Sequence, residues 1–198
     1  MYSNYSRQSR FKKRRDPRVL GPGAGFPPDK QNVHSSRGKP IHVAYTNACS
    51  IGNKWSELNV STSGCDLIAV TETWLNITKS IPSLYPPDYC IYRADREENM
   101  IGGGAMLMVS EHYQQQSGPI LILPYVQSVS CKVKLGRSFW TFVCCYRSPQ
   151  APAAESTHLI TFLEELVQGN DRILFLGDFN APGIDWLCKD AAEDFFRD

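Results

Sequence analysis

Polar side chains stand at the points where several predicted strands end. Asn47 lies at the end of the first predicted strand, Glu72 lies at the end of the second, and Asp178 follows the apolar residues 173–176 and a glycine. In a layered sheet protein, strand ends that share one edge meet at a cleft that the sheet holds rigidly. Carboxylate and amide oxygens in such a cleft suit hard cations and phosphate chemistry. We therefore expect these side chains to form one site.

The residue types match those that metal-assisted phosphate hydrolysis needs. That reaction uses a Lewis acid on the phosphoryl oxygens, a water oriented by a carboxylate, and hydrogen-bond donors for the developing charge. Glu72 lies against apolar residues, where an unpaired carboxylate is costly and a cation is a natural partner. Asp178 could orient the water, and Asn180 and Tyr146 could donate hydrogen bonds. Mg²⁺ or Mn²⁺ fits this oxygen-rich set, because cysteine and histidine show no metal-binding arrangement.

Each of these residues also has an ordinary structural explanation. Asn47 and Asn180 could be turn residues that accept backbone hydrogen bonds, and Asp178 could cap a short helical turn that follows it. Taken singly, none of them indicates catalysis. The combination of several such residues at strand ends favours a chemical role for the set.

A repeated exchange of short apolar runs with helical stretches and turns indicates a layered α/β or α+β domain from residue 40 onward. Apolar residues alternate with polar ones in 128–136, and a Gly-Arg turn leads into 139–147, which predicts an antiparallel hairpin. Apolar residues at helical spacing predict a helix across 155–168. The other predicted strands are 41–48, 65–72, 89–94, 104–110 and the apolar run at 173–176.

Residues 1–39 differ in composition from the rest of the chain. They hold ten Lys or Arg and two Asp, a net charge of +8, whereas residues 40–198 carry a net charge of −7. Glycine, proline and like charges without aliphatic periodicity predict a disordered basic tail. Its densest basic cluster is Lys12, Lys13, Arg14 and Arg15. The tail could be a solubilising extension, a nuclear localisation signal or a contact with a nucleic-acid backbone.

The sequence also limits the compartment and the partners. Its longest apolar runs are far shorter than the roughly 20 residues that cross a bilayer, and the N-terminus lacks the apolar segment of a secretory signal. The seven cysteines are odd in number and form no CxxC pair, which argues against a disulfide framework and a zinc site. We therefore expect an intracellular, nuclear protein with no membrane partner and no disulfide-linked partner.

Five segments, in order, resemble the endonuclease domain of non-LTR retrotransposon polyproteins. This family belongs to the endonuclease/exonuclease/phosphatase (deoxyribonuclease I-like) superfamily. The resemblance covers residues 40–198 and implies an α/β (α+β) fold, a four-layered β-sandwich with flanking helices. It also implies Mg²⁺-dependent cleavage of DNA phosphodiester bonds. The segments are TNACSIGNKWSEL, CDLIAVTETWL, YRADREENMIGGGAMLMV, FVCCYRSP and ILFLGDFNAPGIDW.

The resemblance implies a role for each residue of the predicted site. Glu72 would be the metal ligand, and Asn47 would support the metal site and the phosphate. Tyr146 would contact the scissile phosphate. Asp178 and Asn180 would orient the attacking water and stabilise the pentavalent state.

Arg147 and the basic cluster of the tail are our candidates for nucleic-acid binding. The glycines at 102–104 are assigned to close backbone packing, because no helix start follows them as a phosphate-binding loop would require.

Two features depart from the family pattern. Cys49 stands where the family often has arginine. The family also continues past the GDFN motif to a further Asp and a Ser-Asp-His run, and none of the four histidines here matches that run. We therefore expect 40–198 to be the N-terminal two-thirds of a domain that is incomplete at its C-terminus. Two alternatives to an active endonuclease stay open: an inactive remnant that binds nucleic acid through its tail, and a small-molecule phosphodiesterase or phosphatase.

Overall fold

Two four-stranded sheets and two α-helices make up the described part of the computed structural model, which comprises residues 40–76, 86–97 and 100–182. A 3₁₀ turn at Ile51–Asn53 precedes the first helix. In chain order the elements are β1 (Val43–Asn47), α1 (Trp55–Ser61), β2 (Leu67–Thr71), β3 (Tyr89–Ala94), β4 (Ala105–Ser110), β5 (Gln115–Ile122), β6 (Val126–Leu135), β7 (Ser138–Arg147), α2 (Ala153–Gln168) and β8 (Ile173–Asp178).

Strand order explains why polar strand ends share one edge. The first sheet has the order β1-β2-β4-β3, and β1 runs parallel to β2. The second sheet has the order β5-β6-β7-β8, and β8 runs parallel to β7 because α2 carries the chain back between them. Strands β1 and β8 also contact each other. The carboxyl ends of β1, β2, β7 and β8 therefore meet at one edge of the molecule.

The main core lies between the two sheets. Side chains alternate along a strand, so Leu67 and Ala69 of β2 face the second sheet and pack with Phe142 of β7. Phe142 is almost fully buried, and burial of a side chain of this size stabilises the fold by about 1.5–3 kcal/mol. All five residues of β2 are buried, as expected for a central strand covered on both faces.

The helices cover the outer faces of the sheets. Leu58 of α1 packs on Ile68 and Val70 of β2, and Leu159 of α2 packs on Cys145 of β7. Helix α2 begins directly after Pro152 and ends directly before Gly169, and proline and glycine are common at these two ends of a helix. The order of layers is therefore helix, sheet, sheet, helix, and the predicted four-layered sandwich is confirmed.

The predicted hairpin is also confirmed, with Leu135 paired to Ser138 across its turn. Two elements, α1 and β5, were not predicted from the sequence. In β5 the pair Gly118-Pro119 interrupts the pattern, and the register with β6 shifts between Ser117 and Ile120. Proline and glycine in a strand commonly mark an edge position or a bulge, and β5 is the edge strand of its sheet.

Several sequence-based predictions fall outside the described residues, among them the disordered basic tail at 1–39. Within the described ranges, neither helix has the length and the apolar character needed to span a bilayer.

Candidate active site

The site lies at the edge where the two sheets meet. Asn47, the last residue of β1, donates from Nδ2 to Oδ2 of Asp178, the last residue of β8, over 3.0 Å. Tyr146 of β7 pairs in register with Asp178, and Glu72 directly follows β2, the neighbour of β1. The structure therefore brings these four predicted site residues together.

Two donors hold one oxygen of the Glu72 carboxylate. The indole Nε1 of Trp74 donates to Oε2 over 2.6 Å, and the backbone N–H of Gly103 donates to the same oxygen over 3.0 Å. Hydrogen bonds to an ionised carboxylate are stronger than those between neutral groups, so they fix its orientation well. Glu72 therefore presents a carboxylate of fixed orientation at the end of a rigid strand.

The donor chemistry around Glu72 fits a magnesium or manganese ion. Within the described residues, neither Glu72 nor Asp178 forms a salt bridge with a basic side chain, so both carboxylates are available to a cation. No group of three or more His, Cys, Asp or Glu residues capable of holding a metal occurs in the same ranges. Mg²⁺ typically takes only one or two carboxylates and completes its shell with water and phosphate oxygens. Glu72 could supply the first of these carboxylates.

Tyr146 lies beneath the carboxylate and is only 4% exposed. Burial raises the pKa of Tyr146 above its usual value, a hydrogen bond with Glu72 and the charge of that residue raise it further, and the charge of Arg96 partly opposes this. The hydroxyl therefore keeps its proton at neutral pH. It can donate a hydrogen bond to a carboxylate or a phosphate oxygen, and it is not suited to act as a phenolate nucleophile.

Asp178 and Asn180 form a turn that begins where β8 ends. The backbone N–H of Asn180 donates to Oδ1 of Asp178 over 3.3 Å, so both carboxylate oxygens of Asp178 accept hydrogen bonds. Asn180 has a positive φ of 46°, a conformation that asparagine tolerates better than most residues. This turn holds the Asp178 carboxylate at the end of β8 and places the Asn180 amide against the backbone of Arg147.

Two hydrogen bonds join Arg147 and Asn180. Nη1 of Arg147 donates to the carbonyl of Asn180 over 3.1 Å, Nδ2 of Asn180 donates back to the Arg147 carbonyl over 2.8 Å, and Nε of Arg147 donates to Oγ of Ser156 over 2.9 Å. The guanidinium thus makes internal contacts that tie β7, α2 and the turn together. Nucleic-acid binding by Arg147 stays a prediction, as it does for Lys12, Lys13, Arg14 and Arg15 of the tail.

Gly177 allows β8 to lie close enough to β7 for Asp178 to reach the site. Its φ is +155°, and a Cβ added there would lie 2.0 Å from the carbonyl oxygen of Cys145. Real Cβ atoms do not approach a backbone oxygen so closely, so only glycine fits without a shift of the strand.

The glycines at 102–104 do more than the packing that the sequence predicted. All three have positive φ, and a Cβ on Gly103 would lie 2.6 Å from Oε1 of Gln127. This close packing brings the Gly103 N–H to Glu72, and the N–H of Gly104 donates to Oε1 of Gln127 over 2.9 Å. In the sequence, only the run of three glycines indicates that the backbone makes a close contact here. It does not show that Glu72 is the acceptor.

Arg96 is a further residue near the site that the sequence analysis did not assign. It is 8% exposed and donates to the carbonyls of Pro124 and Ile101 over 2.5 Å and 3.1 Å. Its guanidinium also lies over the Tyr125 ring, 5.2 Å from the centroid. Arg96 therefore links the loop before β4 to the turn between β5 and β6 in the other sheet.

Three solved structures resemble this chain in fold. The endonuclease domain of TRAS1, a telomere-specific non-LTR retrotransposon, superposes with a TM-score of 0.51 at 13% identity over 78% of this chain and 69% of that chain. The human nocturnin catalytic domain superposes with a TM-score of 0.53 at 13% identity, over 71% of this chain and 64% of that chain. The 3' phosphatase NExo from Neisseria, bound to a product DNA hairpin, superposes with a TM-score of 0.51 at 13% identity, over 78% of this chain and 63% of that chain.

These likenesses establish the fold of this chain as deoxyribonuclease I-like, that of the endonuclease/exonuclease/phosphatase superfamily, which confirms the predicted fold. The chain spans less than two thirds of the nocturnin and NExo structures. No protein-family model and no curated protein sequence matches the chain.

Proposed function

We propose that this chain is a metal-dependent endonuclease domain of a non-LTR retrotransposon that hydrolyses DNA phosphodiester bonds. One observation carries the proposal. Two carboxylates from different sheets, Glu72 and Asp178, stand oriented at one edge without a basic partner among the described residues. Metal-assisted hydrolysis needs one carboxylate for the cation and one for the water, and this edge offers both.

Each residue then has a defined task. Glu72 would hold Mg²⁺ or Mn²⁺, which supplies Lewis acidity at the phosphoryl oxygens when bound. Asp178, held by Asn47, would orient the attacking water and accept its proton. The Tyr146 hydroxyl and the second N–H of the Asn180 amide, whose first N–H bonds Arg147, would donate to phosphate oxygens as charge develops there.

DNA is the substrate that the comparisons favour. The TRAS1 domain is described as a retrotransposon endonuclease, and the NExo structure holds a DNA hairpin. The five sequence segments favour the retrotransposon branch, and the +8 charge of residues 1–39 suits a polyanionic partner. We extend the proposal to a nuclear location, for which the basic cluster of the tail would serve as the signal.

The direct test is nicking of supercoiled plasmid DNA. Nicking in Mg²⁺ should stop when EDTA is added, and Glu72→Gln should lower the rate at least about 100-fold, because charge stabilisation by the metal is worth several kcal/mol. Glu57→Gln is the matched control, since Glu57 is an exposed carboxylate on α1. Undiminished nicking in EDTA or in Glu72→Gln would rule out the proposed metal site.

A second candidate function rests on the charge of the tail. If the chain is an inactive remnant that binds nucleic acid, the binding should depend on residues 1–39, because residues 40–198 carry a net charge of −7. We expect affinity for duplex DNA to fall by at least about tenfold between 50 and 200 mM salt, because binding releases counterions.

The tail prediction is checked by fluorescence anisotropy with labelled DNA. Deletion of residues 1–39 should remove most of the binding and most of its salt dependence. Neutralising only Lys12, Lys13, Arg14 and Arg15 to glutamine should give an intermediate loss. Full binding by the deleted chain would exclude the tail as the main contact.

A further inference from the structure

A closed set of hydrogen bonds joins Trp74, Glu72 and Gly103. The Trp74 backbone N–H donates to the Gly103 carbonyl over 3.1 Å, and the Gly103 N–H donates to Oε2 of Glu72 over 3.0 Å. The Trp74 indole N–H completes the set at 2.6 Å from the same oxygen. Two segments distant in sequence thus hold one carboxylate oxygen.

The backbone of this segment is strained in a way that favours a functional explanation. Glu72 and Trp74 both adopt a positive φ, 55° and 56°, which is uncommon for residues with large side chains. Such conformations are unfavourable and persist where the surrounding structure enforces them, commonly at functional sites. Thr73 and Leu75 are buried, so they anchor the segment while Trp74 remains at the surface.

Packing does not account for the position of Trp74. Its side chain is 41% exposed, although tryptophan stabilises a protein mainly by burying its large ring. The polar end of the side chain, in contrast, makes a short contact with the carboxylate. The N–H group is therefore the part of Trp74 that this geometry uses.

We propose that Trp74 is a positioning residue for the metal-binding carboxylate. Its indole N–H, together with the Gly103 N–H, fixes Oε2 of Glu72 and leaves Oε1 for a divalent cation. Partners that orient a metal ligand typically change metal affinity by 10- to 100-fold when they are removed. The inference rests on the proposed function, because it takes Glu72 as the metal ligand.

The test measures Mn²⁺ binding to the full chain without DNA, by the electron paramagnetic resonance signal of free Mn²⁺. Trp74→Phe keeps an aromatic ring and removes the donor, so its dissociation constant should rise about 10- to 100-fold. Trp74→His should recover most of this loss, because Nε2 of histidine stands two bonds from Cγ, as Nε1 of tryptophan does. Trp140→Phe, a partly exposed tryptophan on β7, should bind like the wild type.

The outcomes separate this inference from the proposed function. If the wild type binds no Mn²⁺, or Glu72→Gln binds it unchanged, both fail. If the wild type binds Mn²⁺ and Trp74→Phe stays within about threefold of it, only the positioning role fails. If Trp74→Phe does not melt cooperatively, Trp74→His decides: affinity close to that of the wild type supports the role, and a loss as large as in Glu72→Gln overturns it.

Discussion

Asp178→Ala should lower the rate of Mg²⁺-dependent DNA nicking by about 10²- to 10⁴-fold, the usual contribution of a positioned general base. The carboxylate accepts hydrogen bonds from Asn47 and from the Asn180 backbone, so it is held in one orientation at the site. Alanine removes the acceptor for the proton of the attacking water. Initial rates of plasmid nicking, measured with saturating DNA, give the loss directly.

Two comparisons make this result specific to Asp178. Asp171→Ala removes an exposed carboxylate from the loop before β8 and should leave the rate unchanged. Asn47→Ala leaves Asp178 in place without its Nδ2 donor, so the rate should fall by a smaller factor. Thermal melting of Asp178→Ala should stay cooperative, because only two hydrogen bonds are lost and both lie at the exposed or partly buried end of β8. Full activity in Asp178→Ala would remove Asp178 from the mechanism.

Gly177→Ala should destabilise the fold by about 2–5 kcal/mol. A Cβ at this position would lie 2.0 Å from the Cys145 carbonyl oxygen, so β8 must move away from β7 or the chain must strain. Overpacking costs about 1–3 kcal/mol, and a positive φ adds about 1–2 kcal/mol for a residue other than glycine. Urea denaturation followed by circular dichroism should show a lower midpoint with an unchanged slope.

Gly136→Ala is the matched control for this prediction. Gly136 also has a positive φ, 65°, but a Cβ there would meet nothing within 4 Å. Gly136→Ala should therefore destabilise the fold only through its positive φ, by about 1–2 kcal/mol. Equal destabilisation by the two variants would show that the contact with Cys145 is unimportant. The nicking rate of Gly177→Ala should also fall, because the residue that follows it is Asp178.

Much of the fold could be predicted from residue patterns. Alternation in β6 and the Gly-Arg turn after it identified the hairpin, because a half-buried strand must alternate its side chains. The apolar run of β8 identified a strand, and the polar residues after it predicted a site at its end. Helix α1 was missed, and so was β5, because Gly118 and Pro119 break its pattern at a bulge.

The contacts within the site could be predicted only in part. Polar strand ends were expected to meet, and the bond between Asn47 and Asp178 shows that they do. The donors to Glu72 could not be foreseen, since one belongs to an exposed tryptophan and the other to a glycine backbone. Such pairings depend on how loops from distant parts of the chain pack together.

The bond between Asn47 and Asp178 also bears on when the site forms during folding. The two residues are 131 positions apart, and β1 and β8 belong to different sheets. Contacts between such distant residues form slowly, because the chain must first give up the entropy of closing a long loop. A nascent or partly folded chain in which β8 has not docked would lack the Asp178 carboxylate at the site. The proposed cleavage of DNA would then be confined to molecules in which both sheets have already assembled.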